Sequence, residues 1–112
     1  MKIAIVGSRE YPNMQKVVDY INNLPLDTVI VSGGARGVDR TAETTAKGRG
    51  MKTQIFTPNW EKHGRKAGIM RNTDIVEAAD KVVAFWDGVS NGTRDSIRKA
   101  QQMGKELEII KP

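Results

Sequence analysis

The chain contains no cysteine, a single histidine and few aromatic residues, which make up 5% of it. Without cysteine there is no disulfide framework, no thiolate chemistry and no zinc–thiolate site. With His63 alone and no H-E-x-x-H motif, a histidine-based metal site lacks its ligands. Neither a metal nor a cofactor is expected. No apolar run reaches the roughly 18 residues of a membrane-spanning helix. The apolar start, MKIAIVGSRE, is too short for a signal peptide, and no small-residue cleavage site follows it. A cytoplasmic protein with no membrane partner is expected. The scarcity of aromatics argues against an extended base-stacking platform.

Two nucleotide signatures are also missing. A dinucleotide-binding turn needs G-x-G-x-x-G after the first strand and an acid at the end of the second. Here the first strand ends in Gly7-Ser8-Arg9 and the second in Val31-Ser32-Gly33, which argues against NAD. No G-x-x-x-x-G-K-[ST] loop occurs, so a Walker-type triphosphate site is absent too.

What the sequence does have is alternation. Short apolar runs at 2–7, 27–32, 51–57, 81–86 and 106–110 read as strands. Helical patterns lie between them at 13–24, 38–48, about 65–79 and 93–103, with Pro25 stopping the first. The 112 residues suit one domain, residues 1–112, and 38% apolar content lets it bury a core. Strict β-α alternation implies an α/β fold: a single Rossmann-like three-layer domain with a five-stranded, mainly parallel sheet and helices on both faces. The last strand, at a sheet edge, is a pairing surface, so a homo-oligomer is expected.

In such open sheets ligands bind beyond the carboxyl ends of the strands, where strand order reverses. Three turns converge on that rim: Gly7-Ser8-Arg9, Gly33-Gly34-Ala35-Arg36-Gly37 and the loop from Asp87 to Thr93. In the second, closely spaced glycines allow backbone N–H groups to face an anion, with Arg36 as a charged clamp. A tight turn with no ligand is the alternative. Asp39, in the first turn of the next helix, either caps that helix or serves to bond a ribose hydroxyl or fix the loop. In the third turn, Ser90, Gly92 and Thr93 open the last long helix; Thr93 is the expected N-cap, with free N–H groups at 93–96 facing a phosphate. Eighteen Lys and Arg against 13 Asp and Glu give a net charge of +5, which favours anionic partners.

Taken in order, VGSR, SGGARGVDR, NW..HG..AG..RN, AD.VVAFWDG and S.GT..SI..A...GK resemble the YspA-type branch of the SLOG superfamily. That superfamily also holds the lonely-guy phosphoribohydrolases and the DNA-processing protein A family. The resemblance runs from Ile3 to about Lys105 and implies a Rossmann-like nucleotide-binding domain. It implies ligand contacts from Gly7, Ser8, Arg9, the glycine turn with Ala35, Asp39, Asp87, Ser90, Gly92 and Thr93. It also implies contacts from the pair Arg71-Asn72, which matches an Arg-Lys pair whose arginine binds substrate in the lonely-guy enzymes and an Arg-Asn pair in the DNA-processing family. The other role open to Arg71 is a surface ion pair with Asp74 or Glu77.

The lonely-guy motif P-G-G-x-G-T-x-x-E ends in a catalytic glutamate. Three residues past Thr93 stands Ser96, and Asp95 lies one position early, turned by roughly 100° on a helix. Arg71, Asp39 and Asp95 are the remaining candidates for catalysis. A nucleotide or phosphoribosyl ligand is therefore the expected partner. Cleavage of an N-glycosidic bond and single-stranded DNA binding are the alternatives. Trp60 either stacks on a base or packs beneath its loop, His63 is assigned a structural role, and Trp86 is placed at the pocket rim.

Overall fold

The computed structural model describes residues 1–112. In chain order the elements are β1 (Lys2–Gly7), α1 (Met14–Asn22), β2 (Val29–Ser32), α2 (Val38–Gly48), β3 (Thr53–Ile55), α3 (Trp60–His63), a 3-10 turn (Gly64–Lys66), α4 (Ala67–Ala78), β4 (Lys81–Phe85), α5 (Asn91–Gln102) and β5 (Glu106–Ile110). The strands form one sheet in the order β3-β2-β1-β4-β5, and every neighbouring pair is parallel. The α/β architecture expected from the sequence is the one observed, with a sheet wholly rather than mainly parallel.

β1 is buried from Ile3 to Val6, so both of its faces need cover. Successive side chains alternate between those faces. Ile3 and Ile5 join Val83 and Phe85 of β4 under α1 and α2, where Val17, Ile21, Val38, Ala42 and Ala46 complete one core layer. Ala4 and Val6 join Val82 and Ala84 on the other face, under Ile75, Val76 and Ala79 near α4 and Ile97 and Ala100 of α5. Phe85 anchors the first layer, with Tyr11 and Tyr20 edge-on to its ring at centroid distances of 5.7 and 5.9 Å. Arg49, just past α2, donates to the Ile21 and Leu24 carbonyls at 2.6 and 2.9 Å and so closes the last turn of α1.

Several boundaries differ from those read off the sequence. The helix expected from about residue 65 is split, because Gly64 adopts a φ of +56° and breaks α3 from the segment that becomes α4. The last long helix begins at Asn91 rather than 93, because Ser90 and not Thr93 is its N-cap. It ends at Gln102 rather than 103. β3 keeps only three of the residues with strand character, Thr53–Ile55. No helix is long and apolar enough to cross a membrane.

Strand order reverses at β1: β2 lies on one side and β4 on the other. The crevice this leaves opens past Gly7 and Phe85, beside the N-termini of α2 and α5. We expect Phe85→Ala to lower stability by about 3–5 kcal/mol, since truncating a buried aromatic leaves a cavity. Urea unfolding measures it, and a loss below about 1 kcal/mol would contradict the packing of this layer.

Candidate functional site

The strand end after β1 is shaped by close approach. A Cβ on Gly7 would lie 2.6 Å from Val38 Cγ1 and 2.7 Å from the Phe85 carbonyl oxygen. Only glycine lets the start of α2 seat against the sheet there. Ser8 is 1% exposed; its N–H donates to the Phe85 carbonyl at 3.1 Å, and its Oγ accepts from the Asp87 N–H at 3.3 Å. Ser8 thus ties the ends of β1 and β4 together while lining the crevice.

The glycine turn after β2 is occupied largely by its own neighbours. The Gly34 N–H donates to Glu43 Oε2 at 2.9 Å, and the Ala35 N–H donates to Asp39 Oδ2 at 3.3 Å. Both carboxylates rise from α2, four residues apart and hence on one helix face. Two of the N–H groups expected to face an anion therefore hold internal carboxylates. Gly37, at φ +82°, has the Arg9 carbonyl oxygen 2.5 Å from where its Cβ would sit, so Gly37 serves a backbone crossing. A Cβ on Gly33 would be 2.8 Å from Arg71 Nη1.

That last approach marks the centre of the site. Arg71 leaves α4 and donates from Nη1 to the Gly33 carbonyl at 2.7 Å. Its Nε donates to Asn72 Oδ1 at 3.2 Å. Asn72 in turn donates from Nδ2 to Asp95 Oδ2 at 3.1 Å and to the Gly92 carbonyl at 3.4 Å. Arg71 and Asn72 together span the gap between the turn after β2 and the start of α5. A surface pairing of Arg71 with Asp74 or Glu77 is ruled out by this inward geometry. Burial lowers the proton affinity of the Arg71 guanidinium, and the nearby Asp39 charge opposes that.

The loop after β4 is organised by its own polar groups. Asp87 Oδ1 accepts from the N–H groups of Val89 and Ser90, both at 2.9 Å, and these bonds hold its carboxyl below the usual range. Ser90 Oγ accepts from the Thr93 N–H at 3.5 Å, and the Arg94 N–H reaches the Ser90 carbonyl. The Thr93 and Arg94 N–H groups expected to be free are thus taken, while Asn91 and Gly92, the first two residues of α5, line the cavity. Trp86 does not line the cavity. Its Nε1 donates to the Ser90 carbonyl at 3.1 Å, and Arg94 stacks over its ring, so it braces the loop from behind.

These parts enclose a cavity of about 700 Å³, within the range of small-molecule sites. Of the residues singled out in the sequence, Gly7, Ser8, Arg9, Ala35, Asp39, Arg71, Asn72, Asp87, Ser90, Gly92, Thr93 and Asp95 line it. Gly33, Gly34 and Arg36 instead line an adjoining cavity of about 340 Å³, and Gly37 lines neither. Arg65, Ile69 and Arg98 were missed. Arg65, Ile69 and Asn72 recur at helical spacing, a face that the helix expected from about residue 65 already carries. Trp60 and His63 form α3 rather than a loop; Trp60 is 54% exposed, so it does not pack beneath the loop. His63 lines neither cavity.

The carboxyls differ in charge state. Burial would raise Asp95, but hydrogen bonds from Lys99, Asn72 and Arg98 outweigh it and hold the group ionised. Asp39 is 7% exposed, and burial pushes its carboxyl up to about 6 against the bond from Ala35 and the charge of Arg71. The folded protein therefore holds this proton more tightly than the unfolded chain, whose carboxyl titrates near 3.8. Its contribution to stability is largest below about pH 4 and is lost as pH rises through about 6. A shift of about two units corresponds to about 3 kcal/mol. We expect Asp39→Asn, which keeps an acceptor for the Ala35 N–H, to be more stable than the parent at pH 7 and to lose this slope. Superimposable urea transitions for the two proteins at pH 7 would refute it.

Relatives of the chain share this frame. The model of the YspA, cpYpsA-related SLOG family matches residues 1–63. The Gene 61 protein of Mycobacterium phage D29 is 39% identical over 113 residues, covering 92% of this chain and 90% of that protein. DNA processing protein A from Streptococcus pneumoniae superposes with a TM-score of 0.84 at 22% identity, over 96% of this chain and 49% of that one. DNA processing protein A from Helicobacter pylori, whose structure addresses its single-stranded DNA binding mode, superposes at 0.76 with 25% identity, over 97% of this chain and 64% of that one. The chain thus spans about half of the first of these structures and under two thirds of the second. The matched profile and the phage relative, on a fold shared with those structures, make this chain a member of the YspA, cpYpsA-related SLOG family.

Proposed function

We propose that the chain binds a nucleotide or nucleotide-derived phosphorylated ligand in the larger cavity, between the ends of β1 and β4. The observation that carries this is the Arg71–Asn72 bridge, which holds a guanidinium at the cavity wall before any ligand arrives. Arg9, Arg65 and Arg98 add positive charge around the same space, and the Asn91 and Gly92 N–H groups edge it. Arginine suits phosphate oxygens through paired hydrogen bonds. Ser8, Thr93 and the cavity carboxylates are suited to ribose hydroxyls. The single-stranded DNA binding named for the Helicobacter pylori protein belongs to the same chemistry of phosphate and base.

Binding is favoured over hydrolysis of an N-glycosidic bond. At the position matching the catalytic glutamate stands Ser96, 2% exposed, whose Oγ donates to the Gly92 carbonyl at 3.4 Å. Asp95 next to it already accepts from three side-chain donors, which leaves it poorly suited to proton transfer.

Calorimetric titration with nucleoside 5'-monophosphates, ADP-ribose and ribose 5-phosphate, at low and high salt, tests the proposal. We expect one of these to bind and to survive high salt. Arg71→Ala should weaken that binding about tenfold or more, the scale of one charge-assisted hydrogen bond. Melting of the variant checks that it remains folded. Equal affinity of parent and variant, or no binding by the parent, would remove the proposal.

A further inference from the structure

The smaller cavity is not a separate dent in the surface. It shares Arg9, Ala35 and Arg71 with the larger one, so the two meet along that wall. Their charge differs sharply. The larger is lined by Arg9, Arg65, Arg71 and Arg98 but also by Glu10, Asp39, Asp87 and Asp95. The smaller is lined by Arg9, Arg36, Arg40 and Arg71, and by no carboxylate. Neither Arg36 nor Arg40 makes an ion pair within the protein. Asp39 and the Gly33 carbonyl compensate Arg71 from behind, whereas Arg36 and Arg40 bring positive charge to this cavity of about 340 Å³ that no carboxylate of the protein pairs.

Trp60 stands on the same wall, 54% exposed. It is held rather than loose. Asn59 caps α3 by accepting from the Lys62 N–H at 3.1 Å, which fixes the backbone of the turn. The ring tip lies over Gly68, where a Cβ would be 3.5 Å away. A positioned, exposed indole beside unpaired arginines has the two components that bind a nucleotide unit: a face for a base and donors for a phosphate.

We propose that the smaller cavity is a second nucleotide subsite, with a second base stacked on Trp60 and a second phosphate met by Arg36 and Arg40. The ligand is then a two-nucleotide unit with Arg9 and Arg71 between its halves. This deepens the nucleotide proposal above and rests on it. The unit comes either from a free dinucleotide or from consecutive nucleotides of a single strand; the chemistry is shared.

Calorimetry with 5'-AMP, ADP, the dinucleotide pApA and a short single-stranded oligoadenylate separates the possibilities. We expect pApA to bind about tenfold tighter than 5'-AMP, the scale of one base–aromatic stack. Trp60→Ala should erase that gain while leaving 5'-AMP binding unchanged, and Trp60→Phe should keep most of it. An oligoadenylate that binds as tightly as pApA identifies a strand as a source of the unit; one that binds more weakly identifies the free dinucleotide. A gain with ADP equal to that with pApA would show a phosphate site without a base and overturn the proposal. So would a Trp60→Ala variant, folded by its melting temperature, that keeps the pApA advantage. If 5'-AMP, ADP-ribose and ribose 5-phosphate all fail to bind the parent, the larger cavity is misassigned and this inference falls with it. If one of them binds but pApA gains nothing, only the second subsite is lost.

Discussion

The hydrogen bond from Arg71 to the Gly33 carbonyl joins segments that the chain keeps far apart. It can form only because Gly33 has no side chain in the way. Through Asn72 the same residue pair reaches the start of α5. The turn after β2, the middle of α4 and the loop after β4 are therefore positioned by one polar network. Such a network is strong where water is excluded, because each bond forms in a medium that screens it little. It also leaves the guanidinium facing a cavity with its direction already chosen, which lowers the ordering cost of binding an anion.

The glycine turn illustrates how a motif and its occupant can part company. Dense glycines after a parallel strand suggest a cradle for an external anion. In this fold much of that cradle is filled from within, by Asp39 and Glu43 of the helix that follows. The internal carboxylates stiffen the turn and place negative charge beneath Arg71. Asp39 is thereby buried with its carboxyl pushed up to about 6, a local instability that persists because the surrounding hydrogen bonds hold it.

The two cavities differ in what surrounds them rather than in how they are built. Both open at the carboxyl ends of parallel strands, the larger where strand order reverses between β1 and β4, the smaller beside it over the ends of β1, β2 and β3. The larger draws its walls from α4 and α5 and carries acids with its arginines. The smaller draws on the turn after β2 and the segment before α4, which supply cations and an exposed indole without any acid. Arg71 belongs to both.

By itself the sequence determined the alternation of strands and helices, and with it the parallel sheet, because burial on both faces demands apolar runs such as IAIV and VVAF separated by amphipathic stretches. It also determined that the rim would gather the turns after β1, β2 and β4, since the same topology puts those ends together. Motif resemblance singled out Arg71-Asn72 and the missing glutamate at Ser96. Only the tertiary structure decided what each polar group touches. Of the carboxylates that fill the glycine turn, Asp39 has a loop-fixing role open to it from its place in the first helical turn, whereas Glu43, nine residues from Gly34, carries no such signal. Arg71 turns inward rather than toward Asp74, to a carbonyl 38 residues away in sequence that no local spacing points to. Ser90 displaced Thr93 as the cap because Asp87 folded the loop two residues earlier. Arg65, in the turn before α4, and Arg98, on α5, meet at the cavity only in the folded chain. Local pattern governs which element forms; contacts between residues distant in sequence govern where a side chain points, and that second kind of information is absent from any single stretch of the chain.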